Sequence, residues 1–227
     1  MQNLMTKDAA LALGISQRQV TELLRSGRLS GEQLQDGTWL VSRRSIGERR
    51  TVHSGAGRAW SASASWALLN ELSGRAAEGL SQSTYDRMKR RIRTTSADEI
   101  ARKVATRTTA RRYAADSLAR TATDLVLTGA SAAEVIDRTL TSETRRIEGY
   151  IREGQVDEFV RRHLLTLDAE GDVTIYEAPE SQLLNGRQAS KAVIAADLAR
   201  SVSTRERSAG LAALEDMRQA WLARHTR

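Results

Sequence analysis

Residues 13–29, LGISQRQVTELLRSGRL, constrain the fold more tightly than any other stretch, because two turn signals and an apolar stripe fall within them. Gly14 stops a first helix predicted over Lys7–Leu13. Thr6 is its expected cap, and Ala9, Ala10 and Leu13 form a narrow apolar face that a second helix can approach closely. Ser16 and Gln19 have the spacing of a capping box, which satisfies the orphan N–H groups of a helix start. Val20, Leu23 and Leu24 then recur at helical spacing, so this side turns inward. The other side is polar: Arg18, Thr21, Glu22 and Arg25 stand at i, i+3, i+4 and i+7, with Gln17 in the first turn. Such side chains can donate to and accept from base edges and phosphates in a DNA major groove. The competing reading is a helical pair that serves only protein contact. Glu22 favours that alternative by placing an anion on the reading face, although a carboxylate can accept from cytosine N4.

After the SGRL turn, GEQLQDGTWLV alternates in apolar character about Asp36-Gly37, a dipeptide suited to a tight type I′ hairpin. Leu29, Leu34, Trp39 and Val41 are expected to close a small core, with Arg43 and Arg44 beyond it placed to hold phosphates. Taken together, LGIS, LLRSGRL and DGTWLV resemble the winged helix-turn-helix of the MerR and excisionase type over residues 1–46. The resemblance implies sequence-specific binding of double-stranded DNA. Its contacts would come from Ser16, Gln17, Arg18, Thr21, Glu22, Arg25 and Arg28 around the reading helix, and from Thr38, Arg43 and Arg44 at the hairpin and after it. So small a core is marginal alone, so docking on a following segment or formation of a homodimer is expected.

Residues 47–59, GERRTVHSGAGRA, lack apolar periodicity and read as a linker; Gly55-Ala56-Gly57 has neither the preceding strand nor the third glycine of a dinucleotide loop. Residues 60–112 read as a basic helical segment. Within it WSASASWALLNELSG turns Trp60, Trp66, Leu69 and Leu72 inward. SQSTYDRMKRRIR carries one stripe of Tyr85, Met88 and Ile92 and another of Arg87, Arg90 and Arg91. That second stripe is the densest positive patch, read either as additional phosphate contacts or as a solvated face. Ser96 and Glu99 open a short helix through Val104.

Residues 113–227 alternate helical and strand-like runs, which makes the chain mainly α with a small β component, an α+β fold. The expected order begins with a helix near 109–122, a short strand in DLVLTGAS and a helix capped by Ser131 and Glu134. A strand IEGYI, a helix VDEFVRRHL and a hairpin LLTL…VTIY turning through Asp168–Asp172 come next. Two helices close the chain, one striped by Ile194, Leu198 and Val202, the other by Leu211, Leu214, Trp221 and Leu222 and opened by Ser203 and Glu206. LVLTGASAAEVI, IEGYIREGQVDEFVRRHLL, GDVTIYEAP and AVIAADLARSVSTRERSAGLAALEDM resemble the C-terminal domain of AbiEi-type antitoxins. That resemblance implies a bacterial transcriptional regulator, the autorepressing antitoxin of a toxin–antitoxin module. Its partners would be its own promoter or operator DNA and a nucleotidyltransferase-like toxin.

Composition narrows the classes further. Without Cys there is no disulfide, no Cys-ligated zinc and no thiol nucleophile. The start, MQNLMTKDAALALG, lacks the features of a secretion signal, and no window reaches the roughly 18 apolar residues of a membrane helix, so a soluble cytoplasmic protein without membrane contact is expected. The net charge of +7 is uneven, about +10 through Arg112 and −3 thereafter, which directs the first part toward a polyanion. His53, His163 and His225 lack metal-ligand spacing, and Ser131 lacks the second glycine of a nucleophile elbow. Asp168, Glu170 and Asp172 suit a turn better than a calcium loop, and Asp197 and Asp216 read as exposed carboxylates. No catalysis, metal or cofactor is therefore expected. The alternatives are an excisionase-like architectural factor that bends DNA, and a nucleic-acid-processing enzyme built on the α+β part.

Overall fold

The computed structural model describes residues 3–53, 59–76, 80–140, 145–182 and 186–225, by backbone alone for 51–53. In chain order the elements are β1 (Leu4–Met5), α1 (Thr6–Leu13), α2 (Gln17–Arg25), β2 (Gly31–Gln33), β3 (Trp39–Val41), α3 (Arg43–His53), α4 (Ala62–Leu72), α5 (Gln82–Thr94) and α6 (Ala97–Val104). They continue with β4 (Ala110–Ala114), α7 (Leu118–Ala122), β5 (Val126–Leu127), β6 (Ile147–Arg152), α8 (Val156–His163), β7 (Thr166–Leu167), β8 (Val173–Ala178), α9 (Lys191–Leu198) and α10 (Thr204–Arg224). The class is α+β. No helix among the described residues is long and apolar enough to cross a membrane.

Where the composition shifts pointed to four consecutive segments, the chain forms two interleaved units. One comprises residues 1–54, 109–127 and 144–187, the other 55–108, 128–143 and 188–227. The linker expected over 47–59 is helical as far as His53, because Ser42 Oγ accepts from the Ser45 N–H and starts α3 while Ile46 is buried. Residues 54–58 lie outside the described range, and with them Gly55-Ala56-Gly57.

In the first unit α1 and α2 pack through Ala9, Ala10, Val20 and Leu24, with Leu29, Val41 and Ile46 completing the cluster. The residue before α1 is Met5 in extended conformation, so Thr6 is its first helical residue rather than its cap: residues 4–5 already form β1, paired with β3. The resulting small sheet has the order β1-β3-β2. Its hairpin is not the type I′ turn expected, which needs positive φ at both central residues. Gly37 has φ +85°, whereas Asp36 does not enter the positive region. The Gly37 N–H donates to Leu34 O at 2.9 Å and the Leu34 N–H to Thr38 O at 2.8 Å, giving a longer loop with a glycine bulge. Leu34 stands at the mouth of this loop, 38% exposed, and so does not join the core.

The second sheet of this unit has the order β5-β6-β8-β4-β7, with β6 and β8 parallel and the other neighbours antiparallel. Two expectations fail here together. Residues 110–114 form strand β4 rather than the start of a helix, and β7 and β8 are not paired as a hairpin because β4 lies between them. The sequence ARRYA has good helix propensity, but Arg112 and Tyr113 are buried on opposite faces of the sheet, and its partners lie more than fifty residues away. Helix resumes at α7, where the Arg120 N–H donates to Ser117 Oγ. Tyr113, Leu125, Ile147, Ile151, Phe159, Val173 and Ile175 form the core beneath the sheet.

The second unit is helical and centres on α9, which is buried from Ala192 to Leu198. Around it stand α4, α6, α10 and a 3₁₀ segment, Gly129–Val135, which starts after Thr128, so that Ser131, expected with Glu134 to cap a helix, lies inside it. Leu68, Leu69, Met88, Ile92, Ile100, Ile194, Leu198, Leu214 and Trp221 are almost wholly buried. Val202 falls beyond α9 and is 49% exposed, so the stripe ends at Leu198. Asp197, expected at the surface, is buried: Arg107 Nη2 donates to its Oδ1 at 2.7 Å and Thr128 Oγ1 to its Oδ2 at 2.8 Å. Its solvation is replaced by a charged partner and a hydroxyl, as burial requires. Asp216 is exposed.

The α9–α10 contact sets a stability test. A Cβ on Gly210 would lie 2.6 Å from Ala195 O and 2.7 Å from the Ala199 N, atoms of the backbone that cannot swing aside. Alanine would raise helix propensity by about 1 kcal/mol, whereas forcing two packed helices apart costs about 1–3 kcal/mol. Gly210→Ala is therefore expected to lower stability, read as a reduced midpoint in chemical denaturation.

Candidate nucleic-acid interface

The second helix of the first unit is built as expected. Ser16 Oγ accepts from the Gln19 N–H at 3.2 Å, and Gln19 Oε1 accepts from the Ser16 N–H at 2.9 Å. With Val20 and Leu24 buried, Gln17, Arg18, Glu22 and Arg25 are exposed on α2, and Arg28 is exposed just beyond it. No carboxylate pairs with Arg18, Arg25 or Arg28 among the described residues. Two members of the predicted set are partly committed. The Ser16 hydroxyl caps the helix, and Thr21 Oγ1 donates to Gln17 O at 3.1 Å from a half-buried position.

The hairpin tip differs in character. The Thr38 N–H donates to Asp36 Oδ1 at 2.9 Å, and this bond, with a second from the Thr38 side chain, holds the Asp36 carboxyl below the usual carboxylate range. Thr38 thus serves the turn, and the tip keeps an anionic group. Beyond the hairpin, Arg43 is exposed at the start of α3.

Arg44 corrects the sequence reading. Its Nε lies 3.1 Å from Glu48 Oε1 and its Nη2 3.5 Å from Glu148 Oε1, with 11% of the side chain exposed. Burial alone would lower its pKa; the carboxylates of Glu48 and Glu148 outweigh that and raise it. Arg44 consequently joins α3 to β6 and is withdrawn from phosphates. The second oxygen of Glu48 takes Arg112 Nη2, and Arg112 Nη1 donates to Ser30 Oγ at 3.2 Å. Arg112 is 3% exposed in its side chain, so a strand arginine supports the loop that leaves α2.

Sequence reasoning missed this network. The Arg44–Glu48 spacing of i, i+4 was legible, but its completion by Arg112 and Glu148 depends on sheet pairing. It also missed Arg49, assigned to a linker, whose pKa is lowered by burial and then by the charge of Arg28.

The remaining candidates take structural positions. His163 is buried, with Nε2 3.0 Å from Asp124 Oδ2. His225 stacks on Trp221 with ring centroids 4.1 Å apart, and His53 is the last residue of α3. Asp168 Oδ1 accepts from the Glu170 N–H at 2.9 Å within the β7–β8 turn. Among the described residues no group of three or more His, Asp or Glu stands where it could hold a metal ion. No protein-family model, curated protein or solved structure matches the chain.

Glu48 is the common partner of two arginines that are largely out of water. Breaking a buried pair leaves an uncompensated charge and costs about 3–5 kcal/mol; with Glu48 22% exposed, the lower end applies. Glu48→Ala should therefore destabilise the first unit by about 3 kcal/mol, seen as a lower urea midpoint with an unchanged slope.

Proposed function

We propose that this chain is a sequence-specific DNA-binding regulator that reads double-stranded DNA with α2 laid in the major groove. The observation that carries the reading is the outward face of α2, where Arg18 and Arg25, with Arg28 beyond, are exposed and without carboxylate partners on a helix fixed from behind by Val20 and Leu24. Supporting it, a short two-helix pair followed by a hairpin has the order of a winged helix-turn-helix, and Arg43 and Arg28 flank the reading helix at places suited to phosphates. Glu22 takes the role of acceptor toward a cytosine amino group. The Asp36 tip stays clear of the backbone, since a fixed anion there repels phosphate.

In its full form the proposal is an autorepressing antitoxin, with its own operator DNA and a cognate nucleotidyltransferase-like toxin as partners. Support for this part is the resemblance of residues 125–217 together with the order β5, 3₁₀ segment, β6, α8, β7, β8, α9, α10. A nucleotidyltransferase-like reading frame beside the gene, and co-purification of its product, tests it separately from DNA binding.

The decisive experiment is a gel-shift series on the DNA immediately upstream of the protein's own gene, against an arbitrary duplex. Arg18→Ala and Arg25→Ala should each weaken specific binding about 10- to 100-fold, the equivalent of about 1–3 kcal/mol for a base-contacting arginine. Binding of the arbitrary duplex should change far less. Unaltered discrimination in both variants would remove α2 as the reader.

A further inference from the structure

The densest cationic run of the chain lies on α5 in the second unit, and the reading by α2 makes no use of it. Arg87, Lys89, Arg90, Arg91 and Arg93 fall within seven residues, while Asp86 beside them accepts from Gln82 Nε2 at 3.0 Å. Met88 and Ile92 are buried, which fixes the outward side of the helix. Tertiary packing then sorts the arginines. Arg91 is half-buried with its guanidinium 4.7 Å from the centroid of Trp60, its pKa lowered by burial and then by Arg87 and Arg90. Arg87, Arg90 and Arg93 are exposed at i, i+3 and i+6, along about 9 Å of helix.

No carboxylate pairs with these three among the described residues, whereas in the same unit Arg107 meets Asp197, Arg102 meets Asp98 and Arg218 meets Glu215. A row of like charges without counter-charges raises the energy of the folded state and is relieved by a polyanion. The row also continues past the helix. Arg93 lies 5.5 Å from the ring of Trp221, which lines a cleft of about 410 Å³ together with Arg75, Arg224 and His225. The acid in that cleft, Glu71, faces inward, its Oε1 accepting from Trp221 Nε1 at 3.0 Å and Tyr85 OH at 3.5 Å with His225 Nε2 3.9 Å away.

We propose that α5 and the adjoining cleft form a second, sequence-independent contact in which Arg87, Arg90 and Arg93 neutralise phosphates of duplex DNA, with Arg75 and Arg224 extending the track. Duplex rather than single-stranded nucleic acid follows from the aromatic rings. Proteins that hold single strands offer aromatic faces on which bases stack. Here the chain's own cations sit on those faces: Lys89 on Tyr85 at 4.3 Å, Arg91 on Trp60 and Arg93 on Trp221. What remains is charge without stacking, the chemistry of backbone contact. This surface acts whether or not α2 reads sequence.

The test is fluorescence anisotropy of the full chain on a labelled duplex of arbitrary sequence, titrated across salt. R87Q/R90Q/R93Q is expected to reduce the slope of log affinity against log salt by roughly two to three, and to weaken specific and arbitrary duplexes equally. R87Q/R90Q, which leaves the Trp221 contact intact, should show about two thirds of that effect. Arg91→Ala should leave the slope unchanged, and circular dichroism confirms that each variant is folded. A triple variant with an unchanged slope overturns the proposal, as does a wild-type chain that binds no duplex. So does a loss confined to single-stranded RNA or to anionic vesicles. If R18A/R25A leaves discrimination intact while R87Q/R90Q/R93Q lowers the slope, the α2 reading fails and this one stands.

Discussion

The first unit depends on the pairing of two sparsely hydrated arginines with one glutamate. Arg44 and Arg112 come from a helix and a strand that lie 68 positions apart, and both reach Glu48. Removing such groups from water costs several kcal/mol each, which the attraction to a carboxylate offsets only when the geometry is right. The network therefore adds less to net stability than to uniqueness: sliding α3 along the sheet would strand a buried charge. Ser30, held by Arg112, lies in the loop between α2 and the hairpin, so the same pairing fixes where the polar face of α2 is presented.

Fixing α2 in this way bears on the regulator reading. Base recognition requires side chains held to within about half an ångström, and a core as small as that of the helical pair is marginal by itself. The sheet supplies what the small helical pair lacks. Its own core, around Phe159, Ile175 and Val173, is larger, and α3 and the loop after α2 are tied to the sheet through Arg44–Glu148 and Arg112–Ser30.

In the second unit arginines are again divided between pairing and display. Arg107 is sealed against Asp197, while Arg87 and Arg90 stand in water with no carboxylate paired to them among the described residues. A chain with 35 basic and 28 acidic residues has enough carboxylates to cover most of its arginines. Where it leaves several together uncovered, on an amphipathic helix whose inner side is fully packed, the charge is available to an external polyanion.

By itself the sequence determined the local units. The capping box at Ser16, the inward stripe of Val20 and Leu24, the helices over α4, α5, α8 and α10 and the strand β6 follow from cap chemistry and period, which act within a few residues. It also placed Arg18 and Arg25 on an exposed side. Tertiary structure decided what those rules cannot see: that ARRYA is a strand between β7 and β8, that Arg44 faces Glu148 and not solvent, that Asp197 is buried, and that Arg91 folds back on Trp60 while Arg93 does not. Each of these turns on a partner far away in the chain, and local propensity is worth less than the burial or charge pairing such a partner brings.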